Sequence, residues 1–324
     1  MPATTPVTPT LRYHLWQQDG VVTTVQLAAE GFSRSAVHRR CKSKQWQWML
    51  PGVLGTFSGT PTRRQLLIAA HLWAGPDSAI DGADACRWYG LGVGRPGGLV
   101  HVVVRADSGL RSTEGVRVRR STAEIRIGAH GFVPYVDQPT GLIVAARNST
   151  SSKTAISTFS RALQVGWTTL GDLRDARDRI GSKWCRPVDV ALIAVGVGIR
   201  SVAEKDAHDL ILTSQVLTVP LWNQWLDLGD GGPPVCVDAL WKAAGMVHEV
   251  NGKRYHAWAE QFVDMHARHR RLTAAGLVAI GSAPVEIRAY GPETLASIER
   301  TFALNAGRGM PAGVRLIDPP AIAA

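Results

Sequence analysis

Residues 20–57, GVVTTVQLAAEGFSRSAVHRRCKSKQWQWMLPGVLGTF, constrain the fold more than any other stretch of the chain. The pattern predicts a helix, a tight turn, a second helix and a small hairpin. Thr23 caps the first helix, and Gln26 three residues on completes a capping box. Leu27 and Ala28 give that helix an apolar side, and Gly31 stops it. Ser33 caps the next helix, where Val37 and Cys41, four apart, face inward with Ala36. Arg34, Ser35, His38, Arg39 and Lys42 fall on the other side. Residues 46–50 and 53–57 can pair around Pro51-Gly52 as a wing. A helix whose outer face is cationic and hydrogen-bonding suits a DNA groove. The alternative is a solvated basic helix in an ordinary small helical domain.

Bulk properties point the same way. The chain has 324 residues, enough for two or three domains with their own cores. Its 45% hydrophobic and 19% charged content is that of a folded protein. A formal net charge of +10 favours a polyanionic partner, nucleic acid ahead of a membrane surface. Cys41, Cys86, Cys185 and Cys236 lie far apart with no C-x-x-C pair, so they are read as small buried hydrophobes in a reducing cytoplasm. The N-terminal MPATTPVTPT has no charged or apolar leader pattern and is expected to be a loose arm. No apolar run of roughly 18 residues suggests a spanning helix.

The order of the N-terminal features resembles the winged-helix domain of AbiEi-type antitoxins. It is carried by Ser33-Arg34-Ser35-Ala36-Val37-His38-Arg39-Arg40 and by Pro51-Gly52-Val53, and it covers roughly the first half of the chain. The resemblance implies a regulator that binds double-stranded DNA and partners a cognate toxin protein.

Around this stretch, residues 11–19 are expected to be helical, with Leu15 and Trp16 packing on the helix-turn-helix. Helices are predicted at 62–73 and 77–89. The glycine run after Tyr89 is not a dinucleotide fingerprint: such a loop needs a strand before it and a helix after it, and here the order is reversed. Residues 100–105 and 116–120 read as strands. Arg117, Arg119 and Arg120 there form either a second phosphate-contacting surface or a plain exposed sheet face. Further helices are predicted at 157–165, at 170–180 behind a Thr168 cap, and at 187–198.

From Ser201 the pattern changes. Ser201 and Glu204 have capping-box spacing. Strands are predicted at 235–241 and 246–251, a long helix at 258–275 with Phe262, Met265, His269 and Leu272 as its apolar stripe, a strand at 277–280 and a helix at 292–306. Side chains alternate along a strand, so Glu249 and Asn251 share a face. If Asp238 on the neighbouring strand faces the same side, two carboxylates and an amide oxygen converge. Hard oxygen ligands of this kind suit Mg²⁺, which could activate water against a phosphodiester.

This part resembles the restriction-endonuclease-like fold, in particular its Vsr-like group. The matching residues are Asp238, then Glu249-Val250-Asn251-Gly252-Lys253-Arg254-Tyr255-His256, then Asp264, Arg268, Leu272 and Gly276. The family's E-x-D-G is Glu249-Val250-Asn251-Gly252 here, and its D-x-x-W-P is altered to Asp238-Ala239-Leu240-Trp241-Lys242. An amide at Asn251 ligates through oxygen but brings no charge and cannot act as a general base. Lys253 or Arg254 could supply a cation, and His256 a proton-transfer group or a hydrogen bond that pins the hairpin. The candidate catalytic set is Asp238, Glu249, Asn251, Lys253 and His256, with Asp238 and Glu249 as metal ligands. His266 and His269, three apart, lack a third ligand at fixed spacing for zinc.

The predicted whole is an α+β multidomain chain. A winged helix-turn-helix spans 1–75, a mixed α/β antitoxin-like region 76–198, and a restriction-endonuclease-like α/β domain 199–324. The expected function is sequence-specific binding of double-stranded DNA by a cytoplasmic, antitoxin-type transcriptional repressor with a nuclease-derived C-terminal domain. The alternative is a Mg²⁺-dependent endonuclease targeted by its winged helix. A third reading is an antitoxin whose last domain holds a toxin.

Overall fold

Reciprocal caps and buried branched side chains set the frame of the N-terminal half. In the computed structural model, residues 8–93, 98–129, 131–149, 151–181, 185–251 and 258–319 are described, with the backbone alone for 129 and 258–264. They form a mixed α/β chain with three sheets. It divides into two compact units, Met1–Thr158 with Ala162–Val188, and Phe159–Arg161 with Asp189–Ala324.

The first unit opens with α1 (Pro9–Gln17), β1 (Val21–Thr23), α2 (Thr24–Ala29), α3 (Arg34–Lys42), β2 (Gln47–Leu50) and β3 (Val53–Gly55). Thr23 and Gln26 make the expected capping box, with bonds of 2.9 and 3.0 Å. Gly31, at φ +81°, lets the chain reverse so that Phe32 N–H reaches back to the Leu27 carbonyl. Leu11, Val22, Leu27, Phe32, Val37 and Leu54 close a small core. β2 and β3 are an antiparallel hairpin across Pro51-Gly52, and β1 adds to β3, giving the strand order β1-β3-β2. Trp16 does not pack there as expected. It is 75% exposed, because Leu11 and Leu15 already occupy the inward side of α1.

Beyond this come α4 (Arg63–Ala74), β4 (Ala79–Ile80), α5 (Ala83–Trp88), β5 (Val100–Arg105), β6 (Val116–Ser121), β7 (Ile127–Ala129) and β8 (Tyr135–Val136). The helices α6 (Gln138–Arg147), α7 (Ser152–Gln164), α8 (Leu170–Ile180) and α9 (Arg186–Gly196) follow. The second sheet has the order β6-β5-β4-β8-β7. The helix expected at 77–89 starts late: Ala79 and Ile80 are wholly buried and pair with Val103 and Val102, so long-range pairing overrides local helix pattern. The cap of α8 is Thr169 rather than Thr168, in a capping box with Asp172. Val21, Val53, Leu67, Ile68, Val102, Val103 and Val136 belong to one core, which therefore runs across position 75.

The second unit contains α10 (Val202–Ile211), β9 (Leu221–Asp227), β10 (Val235–Trp241), β11 (Met246–Val250), α11 (Trp258–Ala274), β12 (Val278–Ser282), α12 (Pro284–Ala289), α13 (Gly291–Leu304) and β13 (Arg315–Ile317). Strand order is β12-β11-β10-β9-β13. β9, β10 and β11 are an antiparallel meander, and α11 carries the chain over to β12, parallel to β11. A turn through Gly245, in the left-handed region at φ 55°, makes the β10–β11 hairpin tight. Leu226, Val235, Val237, Leu240, Val247 and Leu272 are core residues. The apolar stripe expected for α11 fails at His269, which is exposed, while Leu272 is fully buried. The single helix expected at 292–306 is the second of two, α12 and α13, separated at Tyr290. Among the described residues no helix is long and apolar enough to cross a membrane.

Candidate functional sites

Helix α3 is fixed from below and free above. The Ser33 hydroxyl accepts from Ala36 N–H at 3.2 Å, and Val37 is 5% exposed in the core with Leu27 and Leu54. With one side anchored, the 3.6-residue period turns Arg34, Ser35, His38, Arg39 and Lys42 outward, and all of them are exposed. Among the described residues, no hydrogen bond or ion pair holds the side chains of Arg34, His38, Arg39 or Lys42. Arg40 has a different fate. Its guanidinium lies 4.9 Å from the ring centroids of both Phe32 and Trp46, a cation–π contact that ties the helix to the start of the hairpin.

The arginines of β6 divide differently from either expectation. Arg119 Nε donates to Asp81 at 2.7 Å, and that carboxylate is fully buried. Arg119 is therefore a structural counter-ion and not part of a phosphate-contacting surface. Arg117 and Arg120 are exposed.

In the second unit, β10 and β11 bring the two predicted acids together. Ala239 pairs with His248, so the antiparallel register sets Asp238 opposite Glu249, on one face of the sheet. The alternation along β10 agrees: Val235, Val237 and Ala239 are buried while Cys236 and Asp238 are half-buried. Asp238 Oδ2 accepts from Val250 N–H at 2.7 Å. Asn251 lies past the end of β11, exposed, with its amide over Gly281 of β12; a Cβ at Gly281 would meet Asn251 Nδ2 at 2.8 Å. Lys253, Arg254, His256 and Asp264 lie outside the residues whose side chains are described.

Three groups complete the cluster. Arg268, one turn before buried Leu272 on α11, places Nη2 at 2.8 and 3.0 Å from the two oxygens of Glu249. The same nitrogen donates to the Cys236 carbonyl. Glu204 on α10 is 7% exposed and accepts from Asn223 Nδ2 at 2.6 Å and from Arg200 N–H at 2.8 Å. The expected capping box is thus only half formed: Ser201 caps Glu204 N–H, but the Glu204 carboxylate turns toward the sheet. Asn223, across from Asp238 on β9, adopts φ 53° to serve both Glu204 and the Gly198 carbonyl.

Electrostatics follow from this crowding. Burial first, then the charge of Glu249, push the Asp238 carboxyl up to about 7, with Val250 N–H opposing. Glu249 is also raised by burial, with the Arg268 guanidinium holding it back. His248 on the same strand is fully buried against Ser282 Oγ at 2.9 Å, and burial lowers it to about 4, so it is neutral at pH 7.

The donor set does not fit a Mg²⁺ ion as it stands. Both Glu249 oxygens face a guanidinium, Asp238 Oδ2 is engaged by backbone, and Asn251 brings no charge. Among the described residues, no three His, Cys, Asp or Glu side chains are grouped to hold a metal ion. What the arrangement can do chemically is hold a proton and a cation against two half-buried carboxylates. Sequence reasoning assigned no role to Arg268 or Asn223, although the Arg268–Leu272 spacing of four is the signal that Arg268 points inward. In comparison with known proteins, the chain matches no family model and no curated protein sequence.

Proposed function

We propose that this chain is a sequence-specific, double-stranded-DNA-binding protein, a transcriptional repressor of the antitoxin kind, whose C-terminal unit is a nuclease-derived scaffold that does not cut. The observation that carries the reading is the outer face of α3: Arg34, His38, Arg39 and Lys42 are exposed and, among the described residues, without an intramolecular partner, opposite a buried Val37. The succession α1-β1-α2-α3-β2-β3 supports a winged helix, with α3 as recognition helix and β2–β3 as wing. The AbiEi-type resemblance adds a cognate toxin as partner.

The order α10-β9-β10-β11-α11-β12, with acids opposite each other on two adjacent strands, supports the restriction-endonuclease-like reading of the second unit. The Arg268–Glu249 ion pair and the amide at Asn251 favour the non-cutting form. One observation favours the alternative, a Mg²⁺-dependent endonuclease: Asp238 and Glu249 lie opposite each other on adjacent strands, close enough that the Glu249 charge adds to burial in raising the Asp238 carboxyl.

The test uses the full chain. A duplex is selected from a random pool, and binding is followed by gel shift across a salt series. The expected result is one enriched sequence, bound with steep salt dependence. Binding is lost in a folded Arg34→Ala/Arg39→Ala/Lys42→Ala variant; unchanged binding removes α3 from the interface. Closed circular plasmid incubated with Mg²⁺ or Mn²⁺ is expected to stay closed. Nicking that Asp238→Ala abolishes would establish the endonuclease instead.

A further inference from the structure

We infer that Arg268 is the resident counter-ion of the Asp238–Glu249 pair, and that the guanidinium and a divalent cation are mutually exclusive occupants of this pair; this rests on the reading of the second unit as a nuclease-derived scaffold. Two half-buried carboxylates set opposite each other on one sheet face repel unless a cation or a proton relieves them. The cation here is supplied by the chain. Arg268 Nη2 bridges both Glu249 oxygens and also reaches the Cys236 carbonyl beside Asp238. It is held in place: Leu272, four residues on, is fully buried in the core with Leu240 and Val247, so the Arg268 side of α11 faces the sheet. Arg268 Nε, by contrast, is buried with no hydrogen-bond partner among the described residues.

Removing that charge exposes an oxygen-lined position. Both Glu249 oxygens are freed, and Asp238 Oδ1 has no hydrogen-bond partner among the described residues, because only Oδ2 is engaged by Val250 N–H. These are hard oxygen donors on adjacent strands, the kind of set that takes Mg²⁺ or Mn²⁺. The guanidinium and the metal would neutralise the same negative charge, so one displaces the other.

The experiment is a titration of the full chain with Mn²⁺ alone, by calorimetry and by thermal melting, without DNA, so that its outcome is independent of DNA binding or cutting. The unaltered protein is expected to show no saturable Mn²⁺ site in the micromolar range and no Mn²⁺-dependent rise in melting temperature. Arg268→Gln is expected to melt lower, to gain one saturable Mn²⁺ site, and to recover its melting temperature as Mn²⁺ is added. Arg268→Gln/Glu249→Gln is expected to lose that site. Arg268→Lys, which keeps the charge, is expected to exclude Mn²⁺ like the unaltered protein. A folded Arg268→Gln that gains no site overturns the inference. If that variant does not fold, the unaltered protein and Glu249→Gln decide it: equal indifference to Mn²⁺ supports exclusion, and a Mn²⁺-dependent rise that Glu249→Gln abolishes overturns it.

Discussion

The outer face of α3 and the acid cluster on β10–β11 use the same residue type in opposite ways. On α3, Arg34 and Arg39 are exposed and touch no carboxylate among the described residues. In the cluster, Arg268 is drawn onto Glu249. Elsewhere Arg63 and Arg87 share Asp84, Arg119 holds Asp81, and Arg271 holds Asp230. A net charge of +10 therefore says little about where a polyanion would bind. Arginines already paired offer phosphate a weaker field, and displacing their carboxylates costs what the pair contributes. The unpaired ones are the surface that can be neutralised from outside.

The strongest way to break this contrast is Arg119→Ala. It removes the partner of a carboxylate with no solvent exposure, leaving Asp81 with the Gly82 N–H. The expected loss is about 3 kcal/mol of unfolding free energy, at the lower end for a broken buried pair. Urea unfolding measures it, and DNA affinity of the folded protein should be unchanged. Retained stability with weakened DNA binding would make β6 a phosphate-contacting surface after all.

Next in size is Arg39→Ala on α3. Here the expectation reverses: stability within about 0.5 kcal/mol of the unaltered protein, since the side chain holds nothing among the described residues, and a loss of about 1–3 kcal/mol in affinity for the selected duplex with relaxed preference at one base position. Competition gel shifts against single-base variants of the duplex measure both. A loss of stability without a loss of affinity would move Arg39 into the structural class.

Asp238→Asn probes the other side. The Asp238 carboxyl sits at about 7 in the folded chain against an ordinary value of 3.8. Between those values the folded protein holds a proton that the unfolded chain has released, so this group's contribution to stability falls as pH rises from about 4 to about 7 and stays lost above. Asparagine can still accept from Val250 N–H but carries no charge. The variant is expected to match the unaltered protein near pH 4 and to exceed it by about 1–2 kcal/mol near pH 8. Buried His248 acts with the opposite sign: its folded value of about 4 lies below the ordinary 6.5, so its contribution is lost as pH falls through that window. His248 is common to both proteins, so the difference between them reports on Asp238 together with Glu249, whose charge pushes the Asp238 carboxyl up. A difference that is independent of pH would mean that Asp238 is ionised throughout.

Legibility in the sequence followed the range of the interaction. The Thr23–Gln26 capping box, the Pro51-Gly52 hairpin and the strand over 235–241 are set within a few residues and were read correctly from local pattern. The pairing that puts Asp238 opposite Glu249 follows from one tight turn and was also legible. What escaped depends on distant partners. Asp81 meets Arg119 across the second sheet, Ile80 becomes a strand only because Val102 and Tyr135 flank it, and Glu204 turns inward to meet Asn223. Nothing within a ten-residue window announces these. Arg268 is intermediate: its spacing to Leu272 shows which way it points, but not that Glu249 waits there.

The smallest expected effect belongs to Lys42, where the two uses of charge can coexist. Lys42 stands in the last turn of α3, exposed and, among the described residues, unpaired. A cation there stabilises the unsatisfied carbonyl end of the helix, worth about 0.3–1 kcal/mol at low salt, with no DNA involved. A lysine on that face can also meet a phosphate, releasing one counter-ion and adding about 0.9 to the slope of log affinity against log salt. The two contributions separate by their readouts. Lys42→Ala should cost a few tenths of a kcal/mol of stability, fading as salt rises. If Lys42 also contacts phosphate, the same variant lowers the DNA salt slope by about 0.9 and weakens all duplexes evenly, selected or not. Lys42→Gln, a better helix former than most neutral choices, controls for propensity. A salt slope unchanged in both variants, with the stability loss present, would leave Lys42 as a helix-end charge and confine the DNA-contacting face of α3 to Arg34, Ser35, His38 and Arg39.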